Sequence, residues 1–136
     1  MMKYSYVINK DDYVNAGKVS SQIKKILKEL NVRPDILRRM AIACYEAEIN
    51  MIIHSFGGEI TLVIDNKAEF IFKDIGPGIK DITLAMKPGY STANERAREL
   101  GFGAGMGLVN IKKVSDEFNI ESSTKGTILT LRFDLL

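Results

Sequence analysis

The chain has 136 residues, which is the usual size of one domain and leaves no room for a second full one. Its 46% hydrophobic and 26% charged residues exclude a disordered or fibrous protein, and its net charge of +2 excludes a strongly basic nucleic-acid-binding surface. The single cysteine, Cys44, rules out an internal disulfide framework, and no apolar run approaches the roughly 18 residues of a membrane span. We therefore expect one cytoplasmic domain over residues 1–136, with no direct contact to nucleic acid or membrane.

The N-terminal part of the chain is predicted to form a strand and then a helix. Side chains alternate in character over residues 3–9, which predicts a strand. Asp11 or Asp12 then offers an N-cap for a helix whose apolar residues recur at helical spacing as far as Leu30. Asn31 is expected to end this first helix.

A second, longer helix and a hairpin are predicted next. The helix begins at Pro34-Asp35, since proline suits a first helical turn, and it runs to about Ser55, where Gly57-Gly58 is expected to stop it. Residues 59–65 and 68–74 are rich in β-forming residues, and their junction at Asn66-Lys67 predicts a hairpin turn.

The segment after this hairpin loses its regular pattern. Ile75-Gly-Pro-Gly-Ile79 cannot continue a central strand and is predicted to be a loop, followed by a short helix over residues 81–86. Residues 87–103 show no apolar period. So long a stretch in a small domain predicts a functional lid rather than a plain connection.

The C-terminal part is predicted to form a third long helix and a closing hairpin. The helix begins inside a glycine-rich run, and strands over residues 119–123 and 127–135 flank the turn at Lys125-Gly126. The apolar positions that mark the helix are Leu108, Ile111, Val114 and Phe118. The order of elements predicts an α+β fold of two layers, in which helices cover one face of a mostly antiparallel sheet.

The second helix carries a pair of polar residues beside its apolar stripe. Glu46 and Asn50 are four residues apart and project from one face, whereas Glu48 falls on another. Magnesium takes one or two hard oxygen ligands from protein, so Asn50 is a candidate ligand for Mg²⁺ and Glu46 a candidate general base. Alone, the pair also fits a helix whose polar residues simply reach solvent.

Asp74, Gly76 and Gly78 form a second polar motif at the end of a predicted strand. The carboxylate can accept the exocyclic amine of adenine, and the glycines let a flat ring approach the backbone. An ordinary Asp-x-Gly-Pro-Gly turn explains the same residues equally well when they are taken alone.

The third motif is the run Gly101-Phe-Gly103-Ala-Gly105-Met-Gly107-Leu108. Glycines at alternate positions expose consecutive amides, and the helix that they open attracts phosphate at its N-terminus. The spacing fits neither a P-loop nor the dinucleotide fingerprint, and a flexible hinge without ligand is the remaining alternative. The three motifs together predict a nucleotide site that binds Mg-ATP.

Three further residues are candidates for contact with the phosphates. His54 lies four residues after Asn50 and could orient a phosphate or a water, although a packing or capping role fits a histidine near a helix end. Ser91 and Thr92 lie in the predicted lid and could close over the γ-phosphate, although a simple turn role fits them equally.

With these residues in place, the chain resembles the gyrase, Hsp90, histidine-kinase and MutL ATPase superfamily. Glu46-x-x-x-Asn50, Asp74-x-Gly76-x-Gly78, the run 101–108 and Gly126-Thr127 match its N, G1, G2 and G3 boxes in order. Within that group, Asp74-Ile-Gly-Pro-Gly-Ile79, Gly89-Tyr-Ser-Thr92 and Ser115-Asp-Glu-Phe118 resemble the switch-kinase branch of the anti-sigma-factor serine/threonine kinases.

The resemblance implies a Bergerat-type sandwich fold and a role for each matched residue. Glu46 would be the general base, Asn50 the Mg²⁺ ligand and Asp74 the adenine-binding carboxylate. The other implied ATP-binding positions are Gly76, Gly78, Gly101, Gly103, Ala104, Gly105, Met106, Gly107, Leu108 and Thr127.

Two functions follow as hypotheses. The first is a protein kinase that transfers the γ-phosphate of ATP to a serine or threonine of a STAS-like anti-anti-sigma partner. The alternative is a regulatory module in which ATP orders the lid, the lid captures a sigma factor or another protein, and no phosphate moves. The outward side of the first helix offers a face for a homodimer or a partner, although no residue there marks it.

Overall fold

The computed structural model describes residues 1–79, 81–87 and 107–136. Their elements are β1 (Met2–Asn9), α1 (Lys18–Glu29), α2 (Pro34–His54), β2 (Gly57–Ile64), β3 (Lys67–Asp74), α3 (Ile82–Ala85), α4 (Gly107–Val114), β4 (Glu117–Ser123) and β5 (Gly126–Asp134). The five strands form one antiparallel sheet in the order β1-β2-β3-β5-β4. Helix α3 is a single turn, and a short 3-10 turn at Tyr13–Asn15 precedes α1.

The core lies between one face of this sheet and the helices. Alternate residues of the central strands are buried, because successive side chains of a strand point to opposite faces. They pack against apolar residues of α1, α2 and α4, among which Ile23, Met40 and Ile111 are fully buried. The opposite sheet face carries exposed ion pairs such as that between Arg132 and Glu69. The prediction of a two-layer α+β fold is therefore confirmed.

The predicted start of the first helix is wrong. Asp11 and Asp12 do not cap α1, which begins only at Lys18 after the 3-10 turn and after Gly17 at a φ of +88°. The carboxylate that caps α1 comes instead from the second helix. Glu48 accepts hydrogen bonds from the backbone N–H of Gly17 at 2.9 Å and of Ser20 at 2.8 Å, and from the Ser20 hydroxyl.

Two other boundaries differ from the prediction for local reasons. Ser55, not Gly57-Gly58, ends α2: its hydroxyl donates to the Met51 carbonyl at 2.6 Å and accepts the Gly57 N–H at 3.0 Å. Both glycines belong to β2.

Although α2 has 21 residues, no helix in the described ranges combines the length and the apolar character of a membrane span.

The last predicted helix is shorter than its apolar spacing suggested. Phe118 lies in β4 rather than on the helix, because α4 ends at Val114 and strand pairing takes over with the Asp116 N–H donating to the Arg132 carbonyl at 3.1 Å. Both predicted hairpins are confirmed within two residues at each end. The short helix after the loop is also present, and Asp81 caps it through the Leu84 N–H at 3.0 Å.

We expect Glu48→Ala to lower the free energy of unfolding by about 3 kcal/mol. The side chain is only 1% exposed, and its loss leaves the three donors on Gly17 and Ser20 without their acceptor. Urea unfolding followed by circular dichroism measures the change. Glu121→Ala, on an exposed strand position, is the matched control and should change the free energy by less than about 0.5 kcal/mol. An equal, small effect of both substitutions would contradict the assignment.

Candidate functional site

The site begins where α4 meets α2. A Cβ built on Gly107 would lie 3.1 Å from both Nδ2 and Oδ1 of Asn50, so the first residue of α4 packs directly on that side-chain amide. A larger residue at this position would press on the Asn50 side chain. The prediction that a helix opens within the glycine run is confirmed at Gly107, and the positive end of its dipole adjoins Asn50.

Glu46 contacts the same helix one turn further along. Burial raises the pKa of this half-buried carboxyl, and a hydrogen bond with the Asn110 side chain lowers it in part. Glu46 and Asn50 therefore both face α4, as their spacing predicts, whereas Glu48 faces α1 on another side of α2. Asn110 lies outside the three motifs that predict the nucleotide site.

These contacts show that α2 and α4 run antiparallel. Along α4 the contacts pass from Gly107 to Asn110, while along α2 they pass back from Asn50 to Glu46. A third contact continues the series: Arg39 donates to the Val114 carbonyl at 2.9 Å, at the C-terminal end of α4. A cationic donor there satisfies a helix-terminal carbonyl and matches the negative end of the dipole.

Asp74 lies at the end of β3 and is held by the last hairpin. Its Oδ1 accepts the backbone N–H of Thr127 at 2.8 Å, which leaves Oδ2 as a second acceptor. Burial raises the pKa of the Asp74 carboxyl, and the bond from Thr127 lowers it in part. Asp74 and Thr127 were predicted separately, and the structure brings them into direct contact.

The glycines after Asp74 have a structural use that the sequence analysis did not foresee. A Cβ on Gly76 would lie 2.6 Å from the Thr124 carbonyl oxygen, and one on Gly78, at a φ of +80°, would lie 1.9 Å from the Ser123 carbonyl oxygen. Both glycines therefore let the loop pack against the turn between β4 and β5. The close backbone approach predicted for these residues exists, and in this structure its partner is that turn.

The Ser122 hydroxyl also holds the loop after β3 against the last hairpin, and Ser122 was not among the predicted site residues. Its hydroxyl accepts the Ile79 N–H at 2.7 Å and lies 2.8 Å from the Thr127 hydroxyl, which is itself buried. The loop after β3 is thus tied to both strands of the last hairpin. The pairing of Ser122 with Thr127 across that hairpin is the signal that could have indicated it.

The residues beside α4, Glu46 and Asn50, lie at the same end of the sheet as Asp74. The segment that follows α2 hydrogen-bonds to the loop that follows β3. The Phe56 N–H donates to the Ile75 carbonyl at 3.0 Å, and the Ile75 N–H donates to the Gly57 carbonyl at 2.9 Å. His54, in the last turn of α2, is half-buried, and burial lowers its pKa. Its predicted phosphate contact stays a prediction.

The remaining candidates divide between described and undescribed residues. Leu108 lies in the first turn of α4 and packs against the core, so its side chain has a structural role and its backbone remains a candidate for phosphate. The other predicted positions lie outside the described residues, together with most of the lid. They are Ser91, Thr92, Gly101, Gly103, Ala104, Gly105 and Met106.

The donor set suits a nucleotide with magnesium. Asn50 offers an amide oxygen beside the N-terminal end of a helix, and Glu46 offers a carboxylate on the same side. The described residues contain no group of three or more His, Cys, Asp and Glu side chains arranged so that it could hold a metal ion. Asn50 can still serve, because Mg²⁺ keeps several waters and completes its octahedron with substrate phosphates.

Comparison with known proteins agrees with this geometry. The family described as histidine kinase-like ATPase domain matches residues 10–133. An anti-sigma F factor of Caldanaerobacter subterraneus subsp. tengcongensis is 34% identical over 96 residues, which cover 65% of this chain and 64% of that protein. Serine/threonine-protein kinase RsbT of Bacillus subtilis is 31% identical over 104 residues, covering 73% of this chain and 72% of that one.

The fold has solved counterparts as well. A mycobacterial sensor histidine kinase, MprB, superimposes with a TM-score of 0.54 at 17% identity and covers 97% of both chains. At that identity the match concerns the fold alone, and it supports the expected Bergerat-type sandwich. The alignment with the anti-sigma F factor spans somewhat less than two thirds of that protein's length.

We expect Gly78→Ala to lower the free energy of unfolding by about 2 kcal/mol or more, because the new Cβ meets a backbone oxygen at an unfavourable φ. The loop would have to move away from β4, and the bond from Thr127 to Asp74 would weaken. Chemical unfolding and the amide proton shift of Thr127 measure the two effects. Lys125→Ala, exposed in the adjacent turn, is the control, and equal shifts in both variants would contradict the assignment.

Proposed function

This chain belongs to the histidine kinase-like ATPase domain family, and we propose that it is an ATP-dependent protein serine/threonine kinase of the anti-sigma, partner-switching type. One observation carries the proposal: the structure gathers Glu46, Asn50 and the start of α4 at the end of the sheet where Asp74 meets Thr127. The names of the anti-sigma F factor and of kinase RsbT support the same activity.

The nucleotide is proposed to bind between α4 and the last hairpin. Asp74 keeps one carboxylate oxygen for the adenine amine, and Thr127 lies beside it. The N-terminal end of α4 at Gly107 attracts the phosphates, and Asn50 holds the Mg²⁺, which neutralises phosphate charge when bound. Ser91, Thr92 and the run 101–106 are proposed to complete the phosphate contacts, with residues 87–103 as the lid.

Glu46 is proposed to activate the acceptor hydroxyl. Its carboxylate accepts the proton of a serine or threonine hydroxyl as that oxygen bonds to the γ-phosphorus of ATP. The bond from the γ-phosphorus to the oxygen that bridges it to the β-phosphate breaks in the same step, and ADP leaves. Burial raises the pKa of this half-buried carboxyl, and a carboxylate with a raised pKa is a stronger base than an exposed glutamate. His54, one turn after Asn50, is a further candidate for orienting the phosphates.

The partners are proposed from the same family. The acceptor would be a STAS-like anti-anti-sigma protein, and a sigma factor or another regulated protein would be the second partner. We propose a single domain over residues 1–136 that acts in the cytoplasm, where a free and buried cysteine such as Cys44 stays reduced. The face of α1 directed away from the sheet is proposed as the site of homodimer or partner contact.

We expect Glu46→Ala to abolish phosphotransfer, with a loss of at least about 100-fold, while the dissociation constant of Mg-ATP changes little. The variant removes the base and leaves the groups proposed to hold the nucleotide. Mass spectrometry of a STAS-like partner after incubation with Mg-ATP measures the transfer, and calorimetry measures the binding. Glu59→Ala, on an exposed position of β2, is the control and should transfer phosphate at the wild-type rate.

The outcomes of this experiment separate the two hypotheses. Phosphotransfer that persists in Glu46→Ala would remove Glu46 from the mechanism. If the wild-type chain binds Mg-ATP and retains a partner, but no phosphoserine or phosphothreonine forms on it, the chain is an ATP-dependent binding module instead.

The rate of transfer should depend on pH through Glu46. The base works only when ionised, and burial places its pKa above the ordinary value of 4.5. The rate constant kcat should therefore be constant above this raised pKa and fall as pH drops through it, about tenfold for each pH unit below it. Rate measurements between about pH 4 and about pH 8 with saturating Mg-ATP test this. A kcat that stays constant down to the range of an exposed glutamate would contradict it.

A further inference from the structure

We propose that Ser122 is a positioning residue for the base of the nucleotide: it directs the Thr127 hydroxyl so that this group donates a hydrogen bond to adenine. The inference rests on the proposed ATP-dependent function and deepens it. Ser122 belongs to none of the sequence motifs, but it is the partner of Thr127 across the last hairpin, and the two hydroxyl oxygens lie 2.8 Å apart.

The hydroxyls of Ser122 and Thr127 share one hydrogen bond but have two protons to place. The Ser122 oxygen also accepts the Ile79 N–H at 2.7 Å. Within the part of the chain that the structure describes, neither hydroxyl has a further hydrogen-bond partner. One proton is therefore left for a ligand or a water, and the direction of the bond between the two oxygens decides which residue offers it.

The Ile79 N–H favours a bond that runs from Ser122 to Thr127. A hydroxyl that accepts a hydrogen bond is polarised by it, so consecutive bonds in one direction reinforce each other. The opposite direction would make the Ser122 oxygen accept twice and would give the Thr127 oxygen nothing to accept. In the favoured direction Thr127 accepts from Ser122, and the Thr127 proton remains to be donated.

This donor adjoins the acceptor that Asp74 provides. The Thr127 N–H binds Oδ1 of Asp74 at 2.8 Å, so the second carboxylate oxygen and the Thr127 hydroxyl belong to neighbouring groups. Adenine carries a matching donor and acceptor on adjacent positions of one edge, its exocyclic amine and ring nitrogen N1, whereas guanine reverses both. Since Thr127 is only 8% exposed, a base that left its hydroxyl unpaired would bind weakly.

A purely structural role for Ser122 predicts a different result from substitution. Its hydroxyl also holds the loop after β3 through Ile79, and loss of that contact alone would weaken the binding of every adenine nucleotide to the same extent. Action through the Thr127 hydroxyl instead weakens only nucleotides in which N1 is an acceptor. That effect disappears when residue 127 carries no hydroxyl.

The experiment measures, by calorimetry and without a partner protein, the binding of ATP and of 1-deaza-ATP, in which a C–H group replaces N1. We expect the wild-type chain to bind 1-deaza-ATP about tenfold more weakly than ATP. Ser122→Ala should weaken ATP binding about fivefold and leave the affinity for 1-deaza-ATP within about twofold. Ser122→Cys, which has a similar size but a weak donor, should show the same pattern and serves where the alanine variant does not fold.

Two further variants test the route through Thr127. In Thr127→Val the two nucleotides should bind with equal affinity, and adding Ser122→Ala should change neither affinity by more than about twofold. Ser123→Ala is the matched control in the same hairpin, since its exposed hydroxyl contacts only the turn, and it should keep the tenfold preference of about the wild-type size. In nucleotide-free protein, the Ile79 amide should exchange with solvent faster in Ser122→Ala than in Ser123→Ala.

Each contrary result is specific. Equal affinity of the wild-type chain for both nucleotides would overturn the inference, because Thr127 would then offer no donor to N1. An equal loss of both affinities in Ser122→Ala, or unchanged exchange of the Ile79 amide, would overturn it as well. If the expected preferences are found but the wild-type chain phosphorylates no partner, the role of Ser122 is upheld and the kinase proposal is the part that fails.

Discussion

The fold depends on the buried carboxylate of Glu48, which joins the two long helices. An unpaired charge at a 1% exposed position would cost several kcal/mol, and here the N-terminal end of α1 supplies three hydrogen-bond donors to it. The same bonds satisfy backbone N–H groups that a helix start leaves without partners. Because Glu48 fixes one side of α2 against α1, the opposite side is free to carry Glu46 and Asn50 towards α4. A structural acid and a proposed catalytic acid thus lie two residues apart and face different helices.

A second constraint operates at the sheet end, where backbone meets backbone. Gly78 lies where any side chain would strike β4, and Gly126, at a φ of +150°, lies where one would strike the carbonyl oxygen of Asp74. The loop after β3 and the turn after β4 are therefore one packed unit, although roughly 45 residues of sequence separate them. Asp74 gains its orientation from this unit, through the N–H of Thr127. Gly76 and Gly78, which were predicted to make room for a ligand, also allow the close backbone packing that positions the Asp74 carboxylate.

How far the sequence predicts this structure depends on the range of the interactions involved. Periodicity predicts both hairpins and α2, because their hydrophobic patterns are local, and helical spacing places Glu46 and Asn50 on one face. The start of α1 could not be read locally, since its capping carboxylate lies 31 residues from Gly17. Asn110 and Ser122 were missed for the same reason: each acts on a partner from another element. Phe118 continued a helical spacing that pairing of β4 with β5 overrode.

The ionised forms of the two carboxyls of the candidate site cost the fold some stability. Burial raises the pKa values of both Glu46 and Asp74, so the folded chain holds their charged forms less well than the unfolded chain does. A raised pKa of an acid stabilises the fold below the unfolded-state pKa, and that contribution is lost as pH rises through the folded value. Above the folded-state pKa, each carboxylate therefore destabilises the fold relative to an exposed carboxylate. A cation beside Glu46 and an amine on Asp74 would offset that desolvation penalty, so part of the free energy of binding would come from compensating charges that burial leaves poorly solvated.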